Sequence, residues 1–185
     1  CKQQILDFDT DVLLLVDYPG FNLRMAKWAK SKGIKVIYYI SPTVWAWKEN
    51  RVHQIKRDVD RMYAILPFEP AFYQKFNMEV HYFGHPLLDE IERFRQTQKT
   101  ELDLHSTRPI LAVLPGSRKQ ELRKKLPLML KAAEAFKNSH QVVIAGAPNL
   151  PVSFYEEFEL GEHVTLVQNQ TYQLLSQANL ALVTS

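Results

Sequence analysis

The sequence predicts an α/β protein made of two Rossmann-like units, each with a parallel sheet. Short apolar runs alternate with helix-forming stretches along the whole chain. Two of those runs end in proline-glycine turns, at Asp17-Tyr18-Pro19-Gly20 and at Pro115-Gly116-Ser117-Arg118. One polar run, residues 94–109, separates a first series of elements from a second.

The first unit is expected over residues 1–93. Asp11 to Val16 is a continuous apolar run closed by the first turn, the pattern of a strand buried on both faces. Phe21 to Lys32 carries helix formers, and Gly33 supplies the stop. Ile34 to Ile40 is β-branched and aromatic, hence a second strand. Ser41 to Trp47 reads as a loop and Lys48 to Asp58 as a charged helix. Met62 to Leu66 is a third strand, Glu69 to Phe76 a short helix, and Val80 to Phe83 a fourth strand ending at Gly84-His85-Pro86. A short helix then runs to about Arg93.

The second unit is expected over residues 110–185, after a linker at 94–109. Ile110 to Leu114 opens it as a buried strand. A helical stretch follows from Lys119, with Pro127 acceptable at a first helical turn. Gln141 to Ala145 is a strand, 146–151 a loop, Val152 to Phe158 a helix, Val164 to Val167 a strand, Tyr172 to Ser176 a short helix and Leu180 to Val183 a strand. Such doubly wound units place ligands at the carboxyl ends of their strands, and two of them in series enclose a cleft.

Composition narrows the function. At 185 residues, with 46% hydrophobic and 23% charged, the chain suits a soluble globular protein. Its 23 lysines and arginines against 20 acids leave a net charge of +3, too little for a nucleic-acid footprint. The excess is local. Between Phe21 and Arg57 stand Arg24, Lys27, Lys30, Lys32, Lys35, Lys48, Arg51, Lys56 and Arg57 against Glu49 alone, which predicts a basic face. Cys1, the one cysteine, excludes an internal disulfide and points to a reducing cytoplasm. No apolar run approaches the roughly 20 residues that cross a bilayer, so membrane contact is expected to be peripheral. A start at cysteine and an end straight after an apolar run suggest a piece of a longer protein.

Several residues could carry chemistry. Asp17, at a strand end, could take a proton from a hydroxyl, or could cap its own turn. The turn Gly116-Ser117-Arg118 offers backbone N–H groups, a helix dipole and a guanidinium fork to a phosphate. The plainer alternative is a glycine serving the turn and an arginine pairing with a surface carboxylate. Trp45 and Trp47 would share one face of an extended loop beside Lys48 and Arg51, which suits an interfacial membrane contact or an acyl-chain pocket, or else they plug the core. His85 could bind a phosphate or act as an acid, although a histidine in a turn is commonly structural. Asp7, Asp9 and Asp11 read as a solvated lead-in, not a metal site, and no histidine has metal-ligand spacing.

Five motifs, taken together, carry a resemblance. Val16-Asp17-Tyr18-Pro19-Gly20-Phe21-Asn22, Ser41-Pro42-Thr43-Val44-Trp45-Ala46-Trp47, Leu66-Pro67-Phe68-Glu69, Phe83-Gly84-His85-Pro86 and Leu114-Pro115-Gly116-Ser117-Arg118 occur in that order. The chain resembles the lipid-A-disaccharide synthases over essentially its whole length. The family's Gly-Glu-x-Ser-Gly-Asp segment is absent, and its Gly-Thr-x-x-x-Glu stretch would be expected after Ser185.

The resemblance implies an inverting glycosyltransferase of the two-Rossmann GT-B type, with both domains incomplete here. Its substrates would be UDP-2,3-diacylglucosamine and 2,3-diacylglucosamine 1-phosphate, with no metal or other cofactor. It implies peripheral work at the cytoplasmic face of the anionic inner membrane. Asp17 and Arg118 match the family's essential aspartate and arginine. Gly116, Ser117 and Arg118 would hold the donor diphosphate, and Gln168, Asn169, Gln170 and Thr171 would form a uridine-side loop. Asn22, Trp45, Trp47, Lys48, Arg51 and His85 are candidates for acceptor or lipid contact. Many relatives have a second acid where this chain has Gly20. The alternatives are another GT-B UDP-sugar enzyme, of peptidoglycan or hexosamine metabolism, and a non-catalytic module binding nucleotide or anionic membrane.

Overall fold

The computed structural model describes residues 1–97, 101–104 and 107–184. The chain divides into two compact units, Cys1–Glu90 and Ile91 onward. Each has a four-stranded parallel sheet. The division falls inside a helix, ahead of the linker predicted from residue 94, and residues 98–100 and 105–106 of that linker lie outside the described residues.

The first unit runs α1 (Lys2–Asp7), β1 (Val12–Val16), α2 (Pro19–Ser31), β2 (Lys35–Tyr39), α3 (Val44–Trp47), α4 (Arg51–Asp58), β3 (Arg61–Ala64), α5 (Glu69–Gln74) and β4 (His81–Tyr82), then enters α6 (Pro86–Thr97). Its strands lie in the order β1-β2-β3-β4. Pro19 opens α2, where its fixed φ fits and its missing N–H costs nothing. Gly33 closes it at φ +77, its N–H reaching the Lys30 carbonyl. Between those ends Leu23, Met25, Ala26 and Ala29 pack with Leu15, Val36, Tyr38, Met62 and Ala64 of the sheet. A one-residue slip of register would bring Lys35 and Arg61 into that core, so the pairing is strongly specified.

The sheet's other face departs from expectation. Val12, Leu14 and Val16 are 45%, 58% and 48% exposed, so β1 is not buried on both faces. β1 is the edge strand, and its buried residue Leu15 belongs to the core shared with the helices; no such cluster includes its even-numbered residues. Three local expectations also change. The stretch 41–47 is not wholly loop, since Val44–Trp47 is a helical turn; the charged helix starts at Arg51; and the helix after Pro86 continues past Arg93 to Thr97. Asp7, read as part of a solvated lead-in, closes α1 and accepts a bond from Gln3.

The second unit contains β5 (Ile110–Leu114), α7 (Lys119–Ala133), a 3-10 turn (Glu134–Phe136), β6 (Gln141–Gly146), α8 (Val152–Tyr155), β7 (Val164–Gln168), α9 (Thr171–Gln177) and β8 (Leu180–Val183). The order β7-β6-β5-β8 puts β6 and β8 on opposite sides of β5, a topological switch point. Leu111, Val113, Val142 and Ile144 face one core with Leu122 and Leu126 of α7, whereas Ile110, Ala112, Val143 and Ala145 face another with Leu174 of α9. In β5 and β6 the continuous apolar runs do mean burial on both faces. Pro127 lies inside α7 and not at a first turn. It supplies no N–H to the Arg123 carbonyl one turn back, a local loss that Leu122 and Leu126, both fully buried, outweigh.

Candidate active site

The turn after β1 holds the most strained backbone of the first unit. Asp17 and Tyr18 are consecutive non-glycine residues in the left-handed region, at φ +46 and +43. Each costs roughly 1–2 kcal/mol, so the surroundings must over-determine the turn. They do so through bonds to the turn's backbone, two of them to the Asp17 carbonyl. The Tyr38 hydroxyl donates to the Asp17 carbonyl at 2.5 Å, and the Asn22 amide donates to it at 2.7 Å and to the Val16 carbonyl at 2.9 Å. The Asp17 N–H bonds the Tyr39 carbonyl, which ties the turn to β2.

Asn22 and Tyr38 are both buried. Burial first, and the charge of Asp17 second, push the Tyr38 hydroxyl above its ordinary range against the opposing pull of the Asn22 amide. Tyr38 therefore stays protonated and a donor. Both amide hydrogens of Asn22 are spent on backbone, so Asn22 holds the turn. Tyr38 carried no signal in the sequence beyond its place on the buried side of a strand.

The Asp17 carboxylate, by contrast, is exposed and makes no hydrogen bond among the described residues. α2 has no side-chain cap, so the capping explanation for Asp17 fails. What remains is an unengaged carboxylate at the carboxyl end of a parallel strand, able to accept a proton.

The tryptophan loop separates its two rings. Because Val44–Trp47 is helical, residues two apart do not share a face, contrary to the extended-loop expectation. Trp45 packs against the core, edge-on to Phe68 at 4.9 Å, and its buried indole N–H has no hydrogen-bond partner among the described residues. Trp47 is 65% exposed, with Lys48 Nζ 4.4 Å and the Arg51 guanidinium 5.7 Å from its ring centre. One ring is core and the other is surface.

Two other motif positions bond to backbone. Nδ1 of His85 accepts the Leu87 N–H at 3.1 Å, which orients the start of α6. Glu69, 1% exposed, accepts the N–H groups of Ile65 and Leu66 and so fixes the chain leaving β3.

In the second unit the carboxyl ends of the strands surround a hollow of about 310 Å³, lined by Leu114, Gly116, Ser117, Ala145, Gly146, Ala147, Pro148, Thr171, Val183 and Thr184. Gly116 sits at φ +101. A Cβ on Gly146 would stand 3.1 Å from the Val167 carbonyl and 3.0 Å from Gln168 Cγ, so a side chain there would have to push the neighbouring strand aside. Gly146 closes an apolar run and passed in the sequence as the start of a loop.

Gln168 donates to the Leu150 carbonyl at 3.0 Å, Asn169 turns the chain at φ +57, and the Gln170 carbonyl starts α9. Of the predicted uridine-side loop, Thr171 reaches the hollow. Arg118 does not line it. Its side chain is 82% exposed and pairs with Glu121 at 3.1 Å, the surface pairing weighed in the sequence. Such a pair is worth at most about 1 kcal/mol, so Arg118 can be surrendered to a more highly charged anion. No group of three or more histidine, cysteine or acidic side chains gathers to hold a metal among the described residues.

Comparison with known proteins gives consistent matches. A family model described as lipid-A-disaccharide synthetase matches residues 1–185. Lipid-A-disaccharide synthase 1 of Legionella pneumophila strain Lens is 39% identical over 194 residues, covering 100% of this chain and 50% of its own length. The Nitrosococcus oceani synthase is 50% identical over 126 residues, 67% of this chain and 33% of its own. The chain thus spans about half the length, or less, of these curated relatives. Among solved structures, the UDP-GlcNAc 2-epimerase of Neisseria meningitidis superposes with a TM-score of 0.66 at 16% identity, over 99% of this chain and 57% of that one. The epimerase of Methanocaldococcus jannaschii gives 0.56 at 12%, over 100% and 58%. At such identities the likeness is one of fold, the two-Rossmann GT-B class.

Proposed function

We propose, because the chain belongs to the lipid-A-disaccharide synthetase family, that it supplies part of an inverting glycosyltransferase. That enzyme transfers 2,3-diacylglucosamine from UDP-2,3-diacylglucosamine to 2,3-diacylglucosamine 1-phosphate. The acceptor 6-oxygen attacks the anomeric carbon of the donor and forms the new C–O bond. The bond from that carbon to the diphosphate oxygen breaks, and its electron pair leaves on UDP. The hydroxyl proton passes to Asp17, and a single displacement inverts the centre to give the β-1,6 disaccharide 1-phosphate. Positioned general-base catalysis of this kind contributes roughly 10²–10⁴-fold.

In the second unit the donor diphosphate lies at the Gly116-Ser117-Arg118 turn, where Arg118 exchanges Glu121 for the departing charge. Gln168 to Thr171 border the uridine side. No helix among the described residues is long and apolar enough to cross a membrane. In this reading contact with the anionic inner membrane is peripheral, at its cytoplasmic face, through exposed Tyr18, Phe21 and Trp47 and the exposed Arg24 and Lys27 of α2.

The observation that carries the proposal is the unengaged Asp17 carboxylate on a strained turn held by two buried donors. The test is disaccharide formation from the two lipid substrates by the full-length enzyme. Asp17→Asn and Arg118→Ala should each cut turnover by orders of magnitude with folding preserved, and near-normal turnover in either would remove that residue's role. A wild-type protein that turns over water-soluble UDP-N-acetylglucosamine without acyl chains would instead identify another UDP-sugar enzyme. Vesicle binding with no affinity for UDP would identify a membrane module.

A further inference from the structure

We infer that Lys48 and Arg51, mounted on the ring of Trp47, form a binding site for a phosphate monoester: the 1-phosphate of the acceptor lipid. The inference rests on the function proposed above and names residues that would select its acceptor. Three observations support it. Both cations sit over one exposed indole, at 4.4 and 5.7 Å from its centre. The ring restricts two otherwise floppy side chains, which lowers the entropy lost when they grip a ligand.

The charges, secondly, are unspent. Neither cation is in an ion pair among the described residues, and the first turn of α4 carries no acid. Glu49 lies between them in sequence and lines the same hollow, about 540 Å³ bounded by Trp45 to Arg51. It leaves the rim with a net positive charge. An arginine fork beside a lysine point charge matches the three oxygens and nearly double charge of a phosphate monoester.

The location is the third observation. A second, smaller hollow is lined by Pro19, Pro42, Thr43, Val44, Trp47, Lys48 and Arg51, so both cations share a hollow with the first residue of α2. Pro19 directly follows the Asp17-Tyr18 turn. The acceptor carries its attacking hydroxyl and its phosphate on one sugar ring, so a phosphate grip beside the turn that presents the base orients that hydroxyl towards Asp17.

The test uses the full-length enzyme in neutral detergent micelles, with 2,3-diacylglucosamine 1-phosphate and its dephosphorylated counterpart as acceptors. Wild type should prefer the phosphorylated acceptor. In Lys48→Ala/Arg51→Ala the KM for that acceptor should rise at least tenfold, more than kcat falls, and the preference should largely vanish while the KM for the UDP-sugar holds. Arg51→Lys should fall between, and Glu49→Gln should lower the acceptor KM. An unchanged preference in the double variant would overturn the inference. So would an unchanged acceptor KM with weakened binding to anionic phospholipid vesicles, because the cations would then serve the membrane. No disaccharide from wild type with either acceptor would instead remove the underlying function, a separate outcome.

Discussion

Asn22→Ala should disable the enzyme by releasing a backbone turn, with no direct loss of a group that touches substrate. The side chain makes two hydrogen bonds, at 2.7 and 2.9 Å, to the carbonyls of Asp17 and Val16. Its loss leaves the Val16 carbonyl without that donor, at about 1–3 kcal/mol, and takes one of two donors from the Asp17 carbonyl, at about 1 kcal/mol. The strain they hold, two non-glycine residues in the left-handed region, is of similar size, roughly 2–4 kcal/mol for the pair. Without Asn22 the balance therefore tips towards a relaxed turn.

Tyr38→Phe removes one bond to a carbonyl that Asn22 still serves, so about 1 kcal/mol is lost and the turn should hold. A carboxylate displaced by about 1 Å can cost on the order of 100-fold in rate. In the full-length enzyme Asn22→Ala should therefore lower kcat about 100-fold with the donor KM unchanged, and Tyr38→Phe should lower it less than about tenfold. Thermal unfolding reports the cost in stability, and adding Tyr18→Gly, which relieves one strained residue, should recover part of it. Wild-type kcat in Asn22→Ala, or a larger loss in Tyr38→Phe than in Asn22→Ala, would refute the reasoning.

Three further outcomes are expected. Gly146→Ala should destabilise the second unit by about 1–3 kcal/mol, read from denaturant midpoints, because the new methyl meets the Val167 carbonyl at 3.1 Å; a midpoint equal to wild type would contradict the close approach. Gly20→Asp should be accepted and should stabilise by about 1 kcal/mol, since a Cβ there has nothing within 4 Å and the change adds helix propensity and an acid to the first turn of α2; a fall in melting temperature would count against it. Burial pushes the Tyr73 hydroxyl up to about 12 and raises Tyr38 as well. Unfolded phenols titrate near 10, so this stability is complete below about pH 10 and is lost as pH rises through the folded values. Urea midpoints that stay flat from pH 10 to 12 would disprove it.

Legibility in the sequence followed a physical division. Where a strand is buried on both faces, as Ile110–Leu114 and Gln141–Gly146 are, an unbroken apolar run suffices, and these elements match their expected bounds closely. The same pattern misled at Val12–Val16, because an apolar run does not reveal whether its second face has a cover. Ser41 to Trp47 looked extended from Ser41-Pro42, yet tertiary packing of Trp45 against Phe68 goes with a helical turn. Asp17 and the Pro-Gly-Ser-Arg turn stood out as candidates because strand ends are where parallel sheets place ligands. Tyr38 was not, since its hydroxyl acts through a carbonyl twenty-one residues away, |i−j| = 21, a pairing no local pattern encodes.

The distribution of strain carries the argument one step further. Among the described residues, six non-glycine positions have positive φ. Asp9 and Asn77 lie just beyond α1 and α5, where left-handed aspartates and asparagines commonly end a helix. The other four, Asp17, Tyr18, Ile40 and Asn169, follow the carboxyl ends of β1, β2 and β7 directly. Ile40 is the most telling, because a β-branched side chain gains nothing from that conformation. Its N–H is bonded to the Tyr63 carbonyl, as the Asp17 N–H is to Tyr39, so each turn is tied to the next strand of the sheet. Unforced strain would have been removed by substitution to glycine at little cost. Its concentration at the carboxyl edges of these sheets fits backbones bent to present side chains, and the Ile40 turn, which leads into the tryptophan loop, lies at the same sheet edge as the Asp17 turn.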